Sequence, residues 1–205
     1  MRILVACESS GTVRDAFIRA GHDAMSCDIL PTDSPGPHYQ GDVFDVIDYP
    51  WELMIGHPPC THLSVSGSRH FADKKLDGRQ QAAVSFFMRL MRQSAHIPMV
   101  AIENPVCIMS SLYRKPDQII QPWMFGHTEN KATCLWLKCL PLLKATNDVS
   151  QHMVGMPKSV TDRIHRLPPG KDRWKERSKT YAGIGAAFAD QWGSFSLQGE
   201  KYGSY

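Results

Sequence analysis

The sequence predicts an α/β protein with a doubly wound, mostly parallel sheet, and three observations support that class. Apolar runs of strand length recur along the chain, separated by segments whose apolar residues fall at helical spacing. The chain opens with a strand–turn–helix–strand unit whose turn is rich in Ser and Gly. The polar residues able to do chemistry collect where strands end, which is where open α/β sheets bind ligands.

Arg2 to Cys7 is a short apolar strand. Ser9-Ser10-Gly11-Thr12 makes the turn, and Val13, Ala16, Phe17 and Ala20 then recur as one helical face. Gly21 follows where a helix ends in a left-handed residue. Asp23 to Asp28 is the second strand. Residues 31–40 contain three prolines and are expected to be loop. Trp51 to Ile55 is a strand stopped by His57-Pro58-Pro59-Cys60, and the polar residues 61–78 read as a mobile loop. Arg79 to Gln93 is a helix with Ala82, Ala83, Phe86, Phe87, Leu90 and Met91 on its apolar face. Met99 to Ile102 is a buried strand ending at Glu103-Asn104-Pro105, and Cys134 to Leu137 is another. Residues 141–179 are expected to be irregular, and Tyr181 to Trp192 is the last helix. No internal repeat is present.

Composition narrows the class. The chain has 205 residues, 42% of them hydrophobic and 21% charged, which suits one globular domain with at most a small appendage. No run approaches the eighteen or so apolar residues of a membrane span, and the first residues turn acidic too early for an export signal. A cytoplasmic location is therefore expected. The six cysteines (7, 27, 60, 107, 134 and 139) form no Cys-x-x-Cys pair, so no metal is expected. The net charge is +3, but residues 158–179 hold eight basic side chains against three acidic ones. The remainder is slightly acidic. A basic segment on such a body suits either a solvated face or a polyanion footprint.

Two segments carry the chemistry. Two prolines restrict the backbone just before Cys60, which suits a thiol held in a set position. A cleft cysteine with a lowered pKa is a nucleophile, whereas a buried one is only a small hydrophobe. Glu103 is a carboxylate at a strand end, poorly placed for a core and well placed for a site.

These motifs, in their order, resemble the DNA (cytosine-5) methyltransferases and their tRNA-methylating relatives, in a compact, phage-like form with a reduced target-recognition region. Val5-Ala6-Cys7-Glu8-Ser9-Ser10-Gly11-Thr12 is similar to the family's cofactor loop, with one glycine where three are usual. Cys27-Asp28 falls at the acidic ribose-binding position. Gly41-Asp42-Val43 resembles the motif whose Asp meets the adenine amine. Pro58-Pro59-Cys60 with Ser64-Val65-Ser66-Gly67 is similar to the nucleophile loop, and Glu103-Asn104-Pro105 to Glu-Asn-Val. Residues 180–193 resemble the last motif, with Tyr181-Ala182 where Gly-Asn is usual. Lys131-Ala132-Thr133 aligns with the family's Arg-x-Arg, exchanging a planar guanidinium for a point charge.

The resemblance implies a Rossmann-like sheet of the class I S-adenosylmethionine-dependent type. It implies a catalytic core over residues 1–137, a small basic recognition segment over 138–178, and a helix returning to the core, with a tail, over 179–205. The implied reaction moves a methyl group from S-adenosylmethionine to C5 of cytosine in DNA. Cys60 would attack C6, and Glu103, protonated or sharing a proton, would contact N3 and the exocyclic amine. Cys7, Ser9, Ser10, Gly11, Thr12, Asp28, Ile29, Asp42, Val43, Pro59 and Ala182 would bind the cofactor. Ser64, Asn104, Lys131, Thr133, Arg69, Arg173, Lys175 and Arg177 would meet the substrate. The 61–78 loop would close as a lid, offering Arg69, His70 and Lys74 to phosphates, with Arg163 and Arg166 as further candidates. Only about forty residues are left for reading a target. The substrate could therefore be a free cytidine nucleotide, single-stranded DNA or RNA, or the chain could be a silent nucleic-acid- or protein-binding homologue.

Overall fold

The computed structural model describes residues 1–171 and 173–195; the expected tail, residues 196–205, lies outside them. The strands are β1 (Arg2–Ala6), β2 (Asp23–Asp28), β3 (His38–Gln40), β4 (Leu53–Gly56), β5 (Met99–Pro105), β6 (Gln118–Ile120) and β7 (Thr133–Lys138). The helices are α1 (Thr12–Arg19), α2 (Phe71–Leu76), α3 (Arg79–Gln93), α4 (Met109–Leu112), α5 (Lys158–Thr161), α6 (Arg163–Arg166), α7 (Arg173–Ser178) and α8 (Ala182–Gly193). All seven strands join one sheet in the order β3-β2-β1-β4-β5-β7-β6. The first five run parallel, while β7 is antiparallel to both β5 and β6. The expected doubly wound, mostly parallel α/β sheet is what the chain forms.

Both faces of this sheet are covered, which explains why its strands read as unbroken apolar runs. In β1, Ile3 and Val5 enter one core with Phe17 of α1 and Phe188 and Trp192 of α8. Leu4 and Ala6 enter the other with Phe87 and Leu90 of α3 and Trp136 of β7. All ten side chains are essentially inaccessible to solvent. Phe188 stacks on Trp192 at 4.5 Å, and Phe87 meets Trp136 edge-on at 5.4 Å. Such pairs contribute about 0.5–1.5 kcal/mol beyond their burial. Both indoles also donate a hydrogen bond, Trp192 to the Pro141 carbonyl and Trp136 to that of Arg114.

Several elements differ from expectation. Residues 38–40 of the expected loop form edge strand β3, where Tyr39 pairs with Cys27. The segment 61–78 is largely helical: a 3-10 turn over Val65–His70 runs into α2. Polarity suggested loop there, but Lys74 is buried and its Nζ donates to the Thr61 carbonyl at 2.7 Å, anchoring the turn. Gln118–Ile120 was too short and mixed to stand out as β6. The expected irregular stretch 141–179 holds α5, α6 and α7, each too short for helical periodicity to register.

The order reverses between β1 and β4, because β2 and β3 lie to one side of β1 and β5 to the other side of β4. Ligand crevices form outside the carboxyl ends of strands at such a switch point.

Candidate active site

A cleft of about 1220 Å³ opens at this switch point. Its floor consists of strand ends: Cys7 to Ser10 after β1, Asp28 to Leu30 after β2, His57 to Thr61 after β4, and Glu103 of β5. Cys7 adopts a left-handed backbone, φ 59°, uncommon for a residue with a side chain, and turns the chain away from the sheet there.

The inner end is acidic. Glu8 is buried, and its carboxylate accepts from the backbone N–H groups of Val13 and Arg14 and from the Ser10 hydroxyl. It therefore caps α1 and occupies the positive pole of that helix. Asp28 accepts from the Leu30 N–H at 2.9 Å, and Asp42 from the Phe44 N–H at 3.0 Å; both line the cleft. Arg14 is wholly buried beside this wall. It pairs with Asp15 and donates to Ser26, Thr32 and the Ser34 and Pro35 carbonyls, fastening residues 32–35 to α1.

At the centre stand Cys60 and Glu103. Glu103 lies 3.4 Å from the Nδ1 of His57, and Asn104 donates to the Pro58 carbonyl at 3.0 Å. The ends of β4 and β5 are thus stitched twice. Burial pushes the Glu103 carboxyl up. The hydrogen bond and charge of His57, the charge of Lys131 and the Thr133 hydroxyl outweigh that and hold it below its usual range. Glu103 is therefore ionised in the protein as it stands, rather than protonated. Burial, then the neighbouring Glu103 charge, pushes the Cys60 thiol up, against weaker lowering by Lys131 and Arg177. The expected lowering is absent, and the resting group is a thiol. Burial pushes the Cys27 thiol to about 12 and raises Cys7 further, so neither is a resting nucleophile.

The mouth is basic. Arg69, Lys131, Arg173, Lys175 and Arg177 line it, with the exposed Trp174 among them. Helix α7 touches both sides of the opening. Lys175 pairs with Asp33 at 2.6 Å, and Arg177 donates to the Ser66 hydroxyl at 3.4 Å.

The cleft gathers Cys60, Glu103, Cys7, Ser9, Ser10, Asp28, Ile29, Asp42, Val43, Pro59, Ser64, Lys131, Arg69, Arg173, Lys175 and Arg177. Gly11, Thr12, Ala182, Asn104 and Thr133 are outside its lining. Gly11 caps α1 with φ 74°, and a Cβ there would run into the Arg14 guanidinium and Ser34. Its glycine is explained by that crowding. Gly183 and Gly185, in the last motif, allow α8 to approach the Phe125 carbonyl and Thr12. Asn104 is buried and bonded to the nucleophile loop, not open to a substrate. Thr133 is buried, and its hydroxyl donates to the Lys131 carbonyl at 3.2 Å. Lys74 is tied to Thr61, and Arg163 pairs with Glu129 at 2.9 Å, so both are engaged within the protein. Arg166 does not line the cleft. Sequence reasoning left Asp33 and Trp174 without a role; neither sits in a motif, and only the packing of α7 brings them to the site. Among the described residues, no cluster of His, Cys, Asp and Glu is arranged to hold a metal ion, and no helix is long and apolar enough to cross a membrane.

Neither protein-family models nor curated proteins match this sequence. Among solved structures, the chain is similar to one from E. coli described as a DNA modification methyltransferase encoded within a prophage. The TM-score is 0.45 and the identity 18%, over 67% of this chain and 46% of that one. The chain thus spans less than half the length of that protein.

Proposed function

We propose that the protein transfers a methyl group from S-adenosylmethionine to C5 of cytosine in DNA through a covalent bond between Cys60 and C6. The observation that carries this reading is the two-signed cleft with Cys60 and Glu103 between its ends. The acidic end suits a ligand bearing a sulfonium, an ammonium and ribose hydroxyls, and the basic mouth suits phosphates. In the resemblance stated above, Asp28 holds ribose hydroxyls, Asp42 the adenine amine, and Ser9 and Ser10 the methionine part. S-adenosylmethionine supplies an electrophilic methyl group when bound.

The residues divide the remaining work. The Cys60 thiol loses its proton to water and the sulfur bonds to C6, which ends the ring's aromaticity and delivers an electron pair to C5. Glu103, protonated as substrate enters, gives N3 a hydrogen bond or its proton and so stabilises that charge. Uptake of a proton by Glu103 also removes the negative charge that now raises the Cys60 thiol. The two groups are coupled: a proton on the carboxyl favours the thiolate, and the reverse. After methylation, water takes the C5 proton, and elimination of the Cys60 sulfur as thiolate restores the aromatic ring. In a duplex the cytosine must leave the stack to reach Cys60.

The deciding experiment incubates the protein with methyl-labelled S-adenosylmethionine and, separately, duplex DNA, single-stranded DNA, tRNA and dCMP, followed by nucleoside mass analysis. Label in 5-methyldeoxycytidine from DNA supports the reading. Label confined to tRNA or dCMP moves the substrate, and label in none of the four makes the protein a binding homologue.

A further inference from the structure

We infer that His57 is a positioning residue for Glu103, its ring N–H orienting the carboxylate that the cytosine reading above requires. The register of the sheet puts the two together. Gly56 of β4 is paired with Ile102 of the parallel strand β5, so the next residues, His57 just past β4 and Glu103 still within β5, stand side by side. Their side chains are about nine-tenths buried, with Nδ1 and Oε2 3.4 Å apart. An ionised carboxylate only accepts, so the hydrogen of that contact sits on Nδ1.

The other ring nitrogen argues against a role in packing alone. Nε2 is buried and has no hydrogen-bond partner among the described residues. Buried polar atoms are nearly always satisfied, and one left unmet lowers stability. Leucine or methionine would fill the same space without that cost. What the imidazole adds is the Nδ1 donor to Glu103. The groups facing Glu103 are His57 from the end of β4, Cys60 from the loop after it, Lys131 and Thr133 entering β7, and Cys134 within β7. Of these, His57 donates a hydrogen bond to Glu103, while the Thr133 hydroxyl donates to the Lys131 carbonyl at 3.2 Å. The main chain of His57 is itself anchored, its N–H donating to the Ala6 carbonyl at 2.9 Å. A ring held from below and buried on its sides restricts the carboxylate to one orientation, which matters because Glu103 must meet N3 as the sulfur bonds to C6.

The test uses the full chain with ¹³C-labelled glutamate, the Glu103 carboxyl signal being assigned with Glu103→Gln. In His57→Phe the Glu103 titration midpoint is expected to rise toward the ordinary glutamate range. His57→Asn, whose amide N–H reaches the place of Nδ1, should restore part of the difference. Where methyl transfer is found, kcat should fall tenfold or more in His57→Phe, in the range typical of one lost proton-handling group, with KM for DNA changed less than twofold and kcat partly recovered in His57→Asn. Should His57→Phe not fold, His57→Gln carries the same test, since its amide reaches toward the place of Nε2 and leaves that of Nδ1 empty. An unmoved Glu103 midpoint in the folded variant, or an unchanged kcat, overturns the inference. If the wild type methylates none of the four substrates, the cytosine reading falls, and the carboxyl titration still decides whether His57 governs Glu103.

Discussion

At the strand ends, Glu103 and His57 are about nine-tenths buried, and Asn104 locks the next turn through the Pro58 carbonyl. Across the mouth, Trp174 is 54% exposed, and α7 is held to the opposite walls by Lys175–Asp33 and Arg177–Ser66. The first region is built on parallel strands of a doubly covered sheet, where each residue's position is over-determined. The second is a helix of six residues, too short to be stable without its contacts. Under the proposed function, chemistry that tolerates little displacement would sit on the rigid part, and the weakly tethered part would admit the polymer.

Substitutions separate the two regions by size of effect. Cys60→Ala should lower methyl transfer by about 10⁴-fold or more while leaving the fold intact, as loss of a covalent nucleophile does; full turnover in labelled-methyl assays would end the covalent mechanism. Arg14→Leu comes next. It removes the ion pair with the part-exposed Asp15 and the hydrogen bonds to Ser26, Thr32, Ser34 and Pro35. Asp15 keeps the Ser34 hydroxyl, and unmet buried acceptors cost about 1–3 kcal/mol. Urea unfolding would measure that, and the loop carrying Asp33 should become protease-sensitive.

The pH dependence of stability should follow the buried thiols. Cys27 and Cys134 are raised, mainly by burial, to about 12 and about 11 from an ordinary 9.0. A raised group contributes stability that is fully present below its unfolded value and is lost as pH rises toward the folded one. Denaturant midpoints should therefore fall between pH 9 and 11, and less steeply in Cys134→Ala, which lacks one of these thiols. A flat profile would contradict the burial. The smallest effect belongs to Lys175→Ala. The pair is about a third exposed on each side, so its loss should cost only about 0–1 kcal/mol. Hydrogen exchange in residues 173–178 should nevertheless rise, and the salt dependence of DNA retention should weaken slightly.

Much of the site was legible because strand ends in this fold class are where sequence and position coincide. His57-Pro58-Pro59-Cys60 and Glu103-Asn104-Pro105 each end an apolar run, and the cleft contains both. The glycines were legible only as a pattern. Gly11 reads as a cofactor contact from its motif, and the structure adds that it packs against Arg14 and Ser34, while Gly183 and Gly185 pack against Phe125 and Thr12. Arg14 gave no signal, since a lone arginine on a helix ordinarily faces water.

The sequence by itself determined the sheet's apolar strands, the helices over residues 13–20, 79–93 and 181–192, and the placing of Cys60 and Glu103 at strand ends. Those follow from local periodicity and from proline and glycine punctuation, which depend on near neighbours along the chain. Tertiary structure alone decided the direction of β7. Because that strand runs antiparallel, Pro105 pairs with Thr133, and Lys131 enters at the edge where Glu103 stands; a parallel strand would have put it at the far edge. Tertiary structure also decided the direction in which the central pair is shifted. Cys60 is pushed above its ordinary range by burial and by the Glu103 charge, and Glu103 is held below its own, against burial, by side chains that meet only when β4, β5 and β7 pack together. Electrostatic energies depend on distances in space rather than on separation along the chain.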